Sequence, residues 1–233
     1  MKIHIFYRQY NIEKTDNKGR PDWFDYEKCF KNLLKSLRDQ KGNPFNGIKL
    51  NVMFDGDVSK NFISKYKDQC NIHEFKGGSD TSSFFETIKY VKNQNINKND
   101  LIYFLENDYL HTNDWVNKVK ELFNTYSNLN YVSLYDHNDK YFLPLYNNLV
   151  SKIFTSPTHH WRSTPSTCGS FIMRKDIFDE DYDILSTMEG DHNKFLWLNK
   201  NRNRFVITPI PGLSTHCMNG LLSPTINWEK LNK

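Results

Sequence analysis

Residues 101–109 read Leu-Ile-Tyr-Phe-Leu-Glu-Asn-Asp-Tyr. Five apolar residues in a row, bounded by polar ones, predict a strand over Leu101–Leu105 that is buried on both faces. The strand runs directly into two carboxylates, Glu106 and Asp108, two positions apart. One sheet edge then presents two hard oxygen ligands. Mg²⁺ and Mn²⁺ suit such a pair, because they take few protein carboxylates and complete their shell with diphosphate and water. The same residues could form a solvated turn, so the flanking pattern decides.

Upstream, strand and helix alternate about every 20–25 residues, as in parallel β-α-β units. Lys2–Tyr7 reads as a strand, and Tyr26, Cys29, Phe30, Leu33, Leu34 and Leu37 give an amphipathic helix that Gly42-Asn43-Pro44 ends. Ile48–Phe54 is a second strand closed by Asp55-Gly56-Asp57, and a short helical stretch follows near Val58–Tyr66. Asn71–Phe75 is a third strand. After the turn Gly77-Gly78-Ser79-Asp80, Ser79 or Asp80 would cap a helix carrying Phe84, Phe85, Ile88 and Val91. The predicted fold class is α/β, a single domain over 1–233 with a central, mostly parallel (mixed) sheet flanked by helices. Residues 1–108 would form a nucleotide-binding half and 109–233 an acceptor-binding half. Ligands in such sheets bind beyond the carboxyl ends of the strands, where Asp55/Asp57, Gly77–Asp80 and Glu106–Asp108 cluster.

The second half is less regular. A helix is predicted around Asp114–Tyr126 and a strand over Tyr131–Tyr135, followed by a long Pro-, His- and aromatic-rich stretch, 136–168. Gly169–Arg174 reads as a strand, His192–Asn199 as a helix and Phe205–Ile207 as a last strand. Long irregular connections in a compact domain are often functional.

The whole chain has 233 residues, 38% hydrophobic, 15% aromatic and 25% charged, which excludes a disordered, collagen-like or coiled-coil protein. Mean hydropathy is −0.72. No apolar run approaches the roughly 18–20 residues of a bilayer span, and the N-terminal residues lack a signal-peptide core. Net charge is +4, from 31 Lys and Arg against 27 Asp and Glu. The cations are scattered with no dense stripe, so no nucleic-acid partner is predicted. A mildly basic surface leaves peripheral contact with anionic lipid open. The four cysteines lack C-x-x-C spacing, and none of the 28 Asn begins an Asn-x-Ser/Thr sequon. These features favour a cytoplasmic chain with reduced thiols.

In order and spacing, five segments resemble the nucleotide-sugar-dependent glycosyltransferases of the GT-A fold, family-2-like. Gly77–Ser83 resembles the glycine-bearing loop before a helix, and Glu106-Asn107-Asp108 takes the place of the D-x-D-type motif. Trp161–Phe171 resembles the segment leading into the strand beneath the acceptor site. Met188-Glu189-Gly190-Asp191-His192 resembles the acidic acceptor-side motif, and Pro211–Cys217 the C-terminal segment that often returns a metal-binding His. Two departures stand out. Glu106 replaces the usual first Asp, and Gly190 separates the acidic pair that is commonly adjacent.

The resemblance implies transfer of a sugar from a nucleotide-diphosphate donor, a UDP- or GDP-sugar, to a hydroxyl of a glycan or similar acceptor, with Mn²⁺ or Mg²⁺. Asp108 and His216 would bind the metal, and Glu106 would contact metal or ribose. Tyr7, Arg8, Asp55, Gly78, Ser79 and Asn107 would hold the nucleotide, with Tyr7 stacking on the base and Arg8 on the diphosphate. Trp161, Arg162, Ser166 and Thr167 would meet the acceptor. Asp191 would open a helix, where the dipole favours a carboxylate, and would accept the acceptor's proton in an inverting transfer. Glu189 is the substitute. Two other functions remain: a metal-dependent nucleotidyltransferase, whose usual Gly-rich loop after the first strand has no counterpart in Arg8–Ile12, and a non-catalytic carbohydrate- or nucleotide-binding module.

Overall fold

The computed structural model describes residues 1–11, 18–38 and 42–232. Ile12, the end of the glycine-free loop, lies outside the described residues. The chain opens with β1 (Ile3–Tyr10), α1 (Tyr26–Ser36), β2 (Ile48–Asp55), β3 (Asn71–Phe75), α2 (Asp80–Lys92) and β4 (Leu101–Glu106). It continues with β5 (Tyr109–His111), α3 (Trp115–Thr125), β6 (Tyr131–Val132), β7 (Ile153–Ser156), β8 (His159–Thr164) and β9 (Phe171–Arg174). It closes with α4 (Lys175–Glu180), α5 (Tyr182–Leu185), α6 (Asp191–Arg202), β10 (Val206–Ile210), β11 (Ser214–His216) and α7 (Trp228–Leu231).

Among the described residues, nine strands form one sheet in the order β3-β2-β1-β4-β9-β6-β10-β8-β7. Among the described residues only β8 and β9 run against the rest, so the sheet is mixed but mostly parallel, as the alternating pattern predicts. β4 lies at its centre between β1 and β9, which explains its unbroken apolar run. Alternate residues feed two cores. Ile5, Tyr7, Tyr103 and Leu105 pack with α1 and α3 residues such as Phe30 and Trp115. Phe6, Ile102 and Phe104 pack with Phe84 and Ile88 of α2 and Phe195 of α6 on the other face. Local signals set the helix starts. Asp25 accepts from Lys28 N at the start of α1, and Ser79, not Asp80, accepts from Ser82 N at the start of α2. Such caps contribute about 1 kcal/mol each.

The second half departs from expectation. The strand predicted over Tyr131–Tyr135 is only Tyr131–Val132, and Phe205–Ile207 is the start of β10, which runs on to Ile210. β10 tolerates Pro209 because, although it pairs with Trp161 of β8, it lies beyond Ile207, where the pairing with β6 on the other side stops. It is not the last strand: β11 follows and pairs antiparallel with β5. The stretch 136–168 contains the β7–β8 hairpin at the sheet edge. The helical stretch near Val58–Tyr66 is two 3₁₀ turns, Val58–Lys60 and Phe62–Tyr66.

Candidate active site

The carboxyl ends of β1, β2 and β4 open into a cavity of about 400 Å³, lined by Tyr10, Asp55, Ser79, Asn107 and Asp108 among others. A second cavity of about 290 Å³ adjoins it through Arg8, Lys18, Asp80 and Glu106, and reaches Thr167, Glu189 and Asp191. The two halves of the chain thus face each other across one cleft.

At its floor β11 carries His216 back to the turn after β4, because Thr215 and His216 pair with Leu110 and Tyr109 of β5. His216 Nε2 lies 2.9 Å from Asp108 Oδ2, and the imidazole stacks on the Tyr109 ring, centroids 5.1 Å apart. Ligand atoms of Glu106, Asp108 and His216 all lie within 4.8 Å of one another. Arg20 donates to the same Asp108 oxygen at 2.7 Å and to the Cys217 carbonyl at 2.9 Å. Its loop is tied to the C-terminal segment by Asn219, whose N–H and amide donate to the carbonyls of Gly19 and Arg20.

The electrostatics follow from burial and pairing. Burial opposes the charge of Asp108, but His216 and Arg20 outweigh it and hold the carboxyl well below the ordinary range. Burial likewise opposes the charge of His216, while Asp108 raises its pKa to about 10. Burial pushes Glu106 up to about 7 against the pull of Arg8, whose guanidinium bridges Glu106 Oε1 (2.6 Å) and Asp80 Oδ1 (2.9 Å). Both cations on Asp108 use Oδ2, and Oδ1 is buried without a hydrogen-bond partner among the described residues. Two carboxylates, one imidazole and an orphaned carboxylate oxygen fit a divalent cation.

Across the cleft, Asp191 opens α6 and lines the second cavity. Its Oδ2 accepts from Gly169 N and from Thr167 Oγ1, while Lys194 Nζ stands 3.7 Å from Oδ1. Gly169 is required twice over: its φ is +67°, and a Cβ there would run into the Glu106 carboxylate. Glu189 is exposed at the rim. Asp55 accepts from the N–H groups of Gly77 and Gly78, which ties the end of β2 to the start of α2.

Four expectations need correction. Tyr7 lies well inside β1, which runs on to Tyr10, not at the strand's end. It is fully buried against Phe30, with its hydroxyl on the Asn107 carbonyl, so no ring face is open to a base. Trp161 is 0% exposed, its indole N–H bonded to Ser156 Oγ, and offers no face to a sugar. Arg162 is buried in an ion pair with Asp136 at 2.8 Å. Ser166 is buried beside the His192 ring. The cleft instead recruits Tyr10 at the end of β1, Lys18 and Arg20 from the loop before α1, and Lys194 on α6, none of them marked by a motif.

No protein family matches the sequence, and no curated protein matches it either. Solved structures do match in fold. One is CMP:2-keto-3-deoxy-manno-octonic acid synthetase complexed with CTP, at 11% identity and TM-score 0.51, over 91% of this chain and 92% of that one. Another is S. aureus TarS 1–349, at 13% identity and TM-score 0.52, over 89% of this chain and 58% of that one. At such identities the likeness is one of architecture: the chain has a GT-A-like α/β fold.

Proposed function

We propose that this chain is a metal-dependent glycosyltransferase that moves a sugar from a nucleotide-diphosphate sugar to a hydroxyl acceptor with inversion. The observation that carries the reading is the meeting of Glu106, Asp108 and His216 at the cleft floor, with Asp108 Oδ1 left unsatisfied. Asp108 and His216 would hold Mn²⁺ or Mg²⁺, with Glu106 beside them. Such an ion supplies Lewis-acid neutralisation of the departing diphosphate. The larger cavity suits the nucleotide, bordered by Asp55, Gly78, Ser79 and Asn107, with Arg8 towards the phosphates. The adjoining cavity suits sugar and acceptor. There Asp191, oriented through Oδ2 by Thr167 and Gly169 and with Lys194 Nζ 3.7 Å from Oδ1, would accept the hydroxyl proton as the acceptor attacks.

A second reading, nucleotidyl transfer, draws support from a fold shared over nearly the full length of both chains with a synthetase complexed with CTP. The two differ in the bond broken. The first releases a nucleoside diphosphate from a nucleotide sugar, the second pyrophosphate from a nucleoside triphosphate. A screen of UDP-, GDP-, CMP- and dTDP-sugars with Mn²⁺, reading nucleotide release, tests the first. Parallel assays of nucleoside triphosphates, reading pyrophosphate, test the second. Nucleotide binding with neither product would make the chain a binding module.

A further inference from the structure

Residues 141–151, Tyr-Phe-Leu-Pro-Leu-Tyr-Asn-Asn-Leu-Val-Ser, contain no charged side chain. In a folded protein such a run is ordinarily interior. Here it lies outside: Phe142, Leu143 and Leu149 are exposed, Leu145 is 75% exposed and Val150 90%. Ile153 on the edge strand β7 and Leu196 on α6 are also exposed. Leu149, Val150 and Leu196 share one groove of about 230 Å³ with Thr164 and Pro165, and no carboxylate lines it.

We infer that this knob docks the protein onto an anionic lipid surface, with its apolar side chains entering the interface. Three observations favour a bilayer over a protein partner. First, much of the knob's backbone is paired locally. The N–H groups of Leu143, Tyr146, Asn147 and Leu149 donate to the carbonyls of Asp139, Leu143, Pro144 and Tyr146. A segment that leaves water for hydrocarbon must arrive with its backbone paired, whereas a protein partner can supply hydrogen bonds of its own. Second, the composition is interfacial: aromatic and aliphatic tips, with Lys152 on one flank and Lys200, one turn beyond Leu196, on the other. Both lysines are exposed, and Lys152 Nζ stands 5.4 Å from the centre of the Phe154 ring, so a long stem covers apolar surface while the amine stays at its rim. Third, the knob is braced from below. The Tyr141 hydroxyl donates to Asp136 at 2.7 Å, and the Asn138 amide to the Gly220 carbonyl at 3.0 Å. An apolar patch of this kind on a rigid base marks an interaction site. The inference is independent of the transfer reading, since it uses none of the cleft residues.

Flotation with vesicles of phosphatidylcholine and phosphatidylglycerol, and with phosphatidylcholine alone, tests it. The protein should float with the anionic vesicles, and Leu145→Asp/Val150→Asp should lower the bound fraction at least about tenfold. Leu145→Trp gives a second readout that does not depend on the double variant folding: its emission should shift to the blue with anionic vesicles. Flotation indifferent to the double substitution, no flotation at all, or an unshifted Trp emission would each overturn the inference. So would a concentration-dependent dimer in sedimentation that Leu145→Asp/Val150→Asp dissolves, which would make a second copy the occupant.

Discussion

His216 Nε2 and Asp108 Oδ2 stand 2.9 Å apart although 108 residues separate them in the chain. Two short strands, β5 and β11, make that contact by pairing antiparallel on their own, apart from the main sheet. The expected consequence is metal binding that needs both residues. Asp108→Asn and His216→Ala should each weaken Mn²⁺-dependent nucleotide binding by more than about 100-fold, beyond what the loss of an outer-shell partner costs. Calorimetry with and without EDTA measures this, and circular dichroism confirms that the variants fold.

Removing the carboxylate that faces the second cavity should act on turnover. Asp191→Asn is expected to lower kcat by about 10²–10⁴-fold, the usual contribution of a general base, while donor affinity stays nearly constant. Glu189→Gln, at the exposed rim, should cost less and mainly raise the acceptor KM. Steady-state kinetics on the two variants separate the roles, and the reverse pattern would assign the base to Glu189.

Gly169→Ala tests how the two sides of the cleft are joined. The new methyl would meet Glu106, and the left-handed backbone would cost about 1–2 kcal/mol in an Ala residue. A lower melting temperature together with at least tenfold lower turnover is expected, whereas Gly220→Ala, which has a positive φ but open space, should lower only the melting temperature.

Acid should destabilise the fold well before most carboxylates titrate. His111 is wholly buried against Tyr103 and Trp115, and burial lowers its pKa to about 3. In the unfolded chain it titrates near 6.5. Below that pH the unfolded state takes up a proton that the folded state refuses. The stability it contributes is therefore complete above about 6.5 and is lost as pH falls towards 3, by up to about 1.4 kcal/mol per pH unit. Urea midpoints measured between pH 7.5 and pH 4 should show this slope, and His111→Gln should make it shallower, leaving the part that His137, whose pKa burial also lowers, contributes.

The first half was legible because its cores are apolar and periodic. Leu101–Leu105 announced a central strand, and the spacing from Tyr26 to Leu37 announced a helix. Legibility failed where polar groups are buried in pairs. Arg8 and Gln9 looked like a loop, yet β1 runs through them because Arg8 meets Glu106 and Asp80, and Gln9 meets Asn107. Trp161 and Arg162 looked like a sugar-binding surface, yet Asp136, 26 residues away, neutralises the arginine inside the fold. A lone sequence carries no sign of such partners. The meeting of His216 with Asp108 was legible only through the order of the motifs, since neither periodicity nor composition ties residue 216 to residue 108. Arg20 was missed because nothing in Gly-Arg-Pro marks which carboxylate it will reach.

The ties from Asn219 to Gly19 and Arg20 bring a late stretch of the chain back over an early one. The last strand of the nine-stranded sheet ends at Ile210, and His216 comes after it. During synthesis every strand of that sheet therefore leaves the ribosome before the residue that completes the acidic cluster. A chain halted there would possess every strand of the large sheet but not His216, the third member of the Glu106–Asp108–His216 cluster.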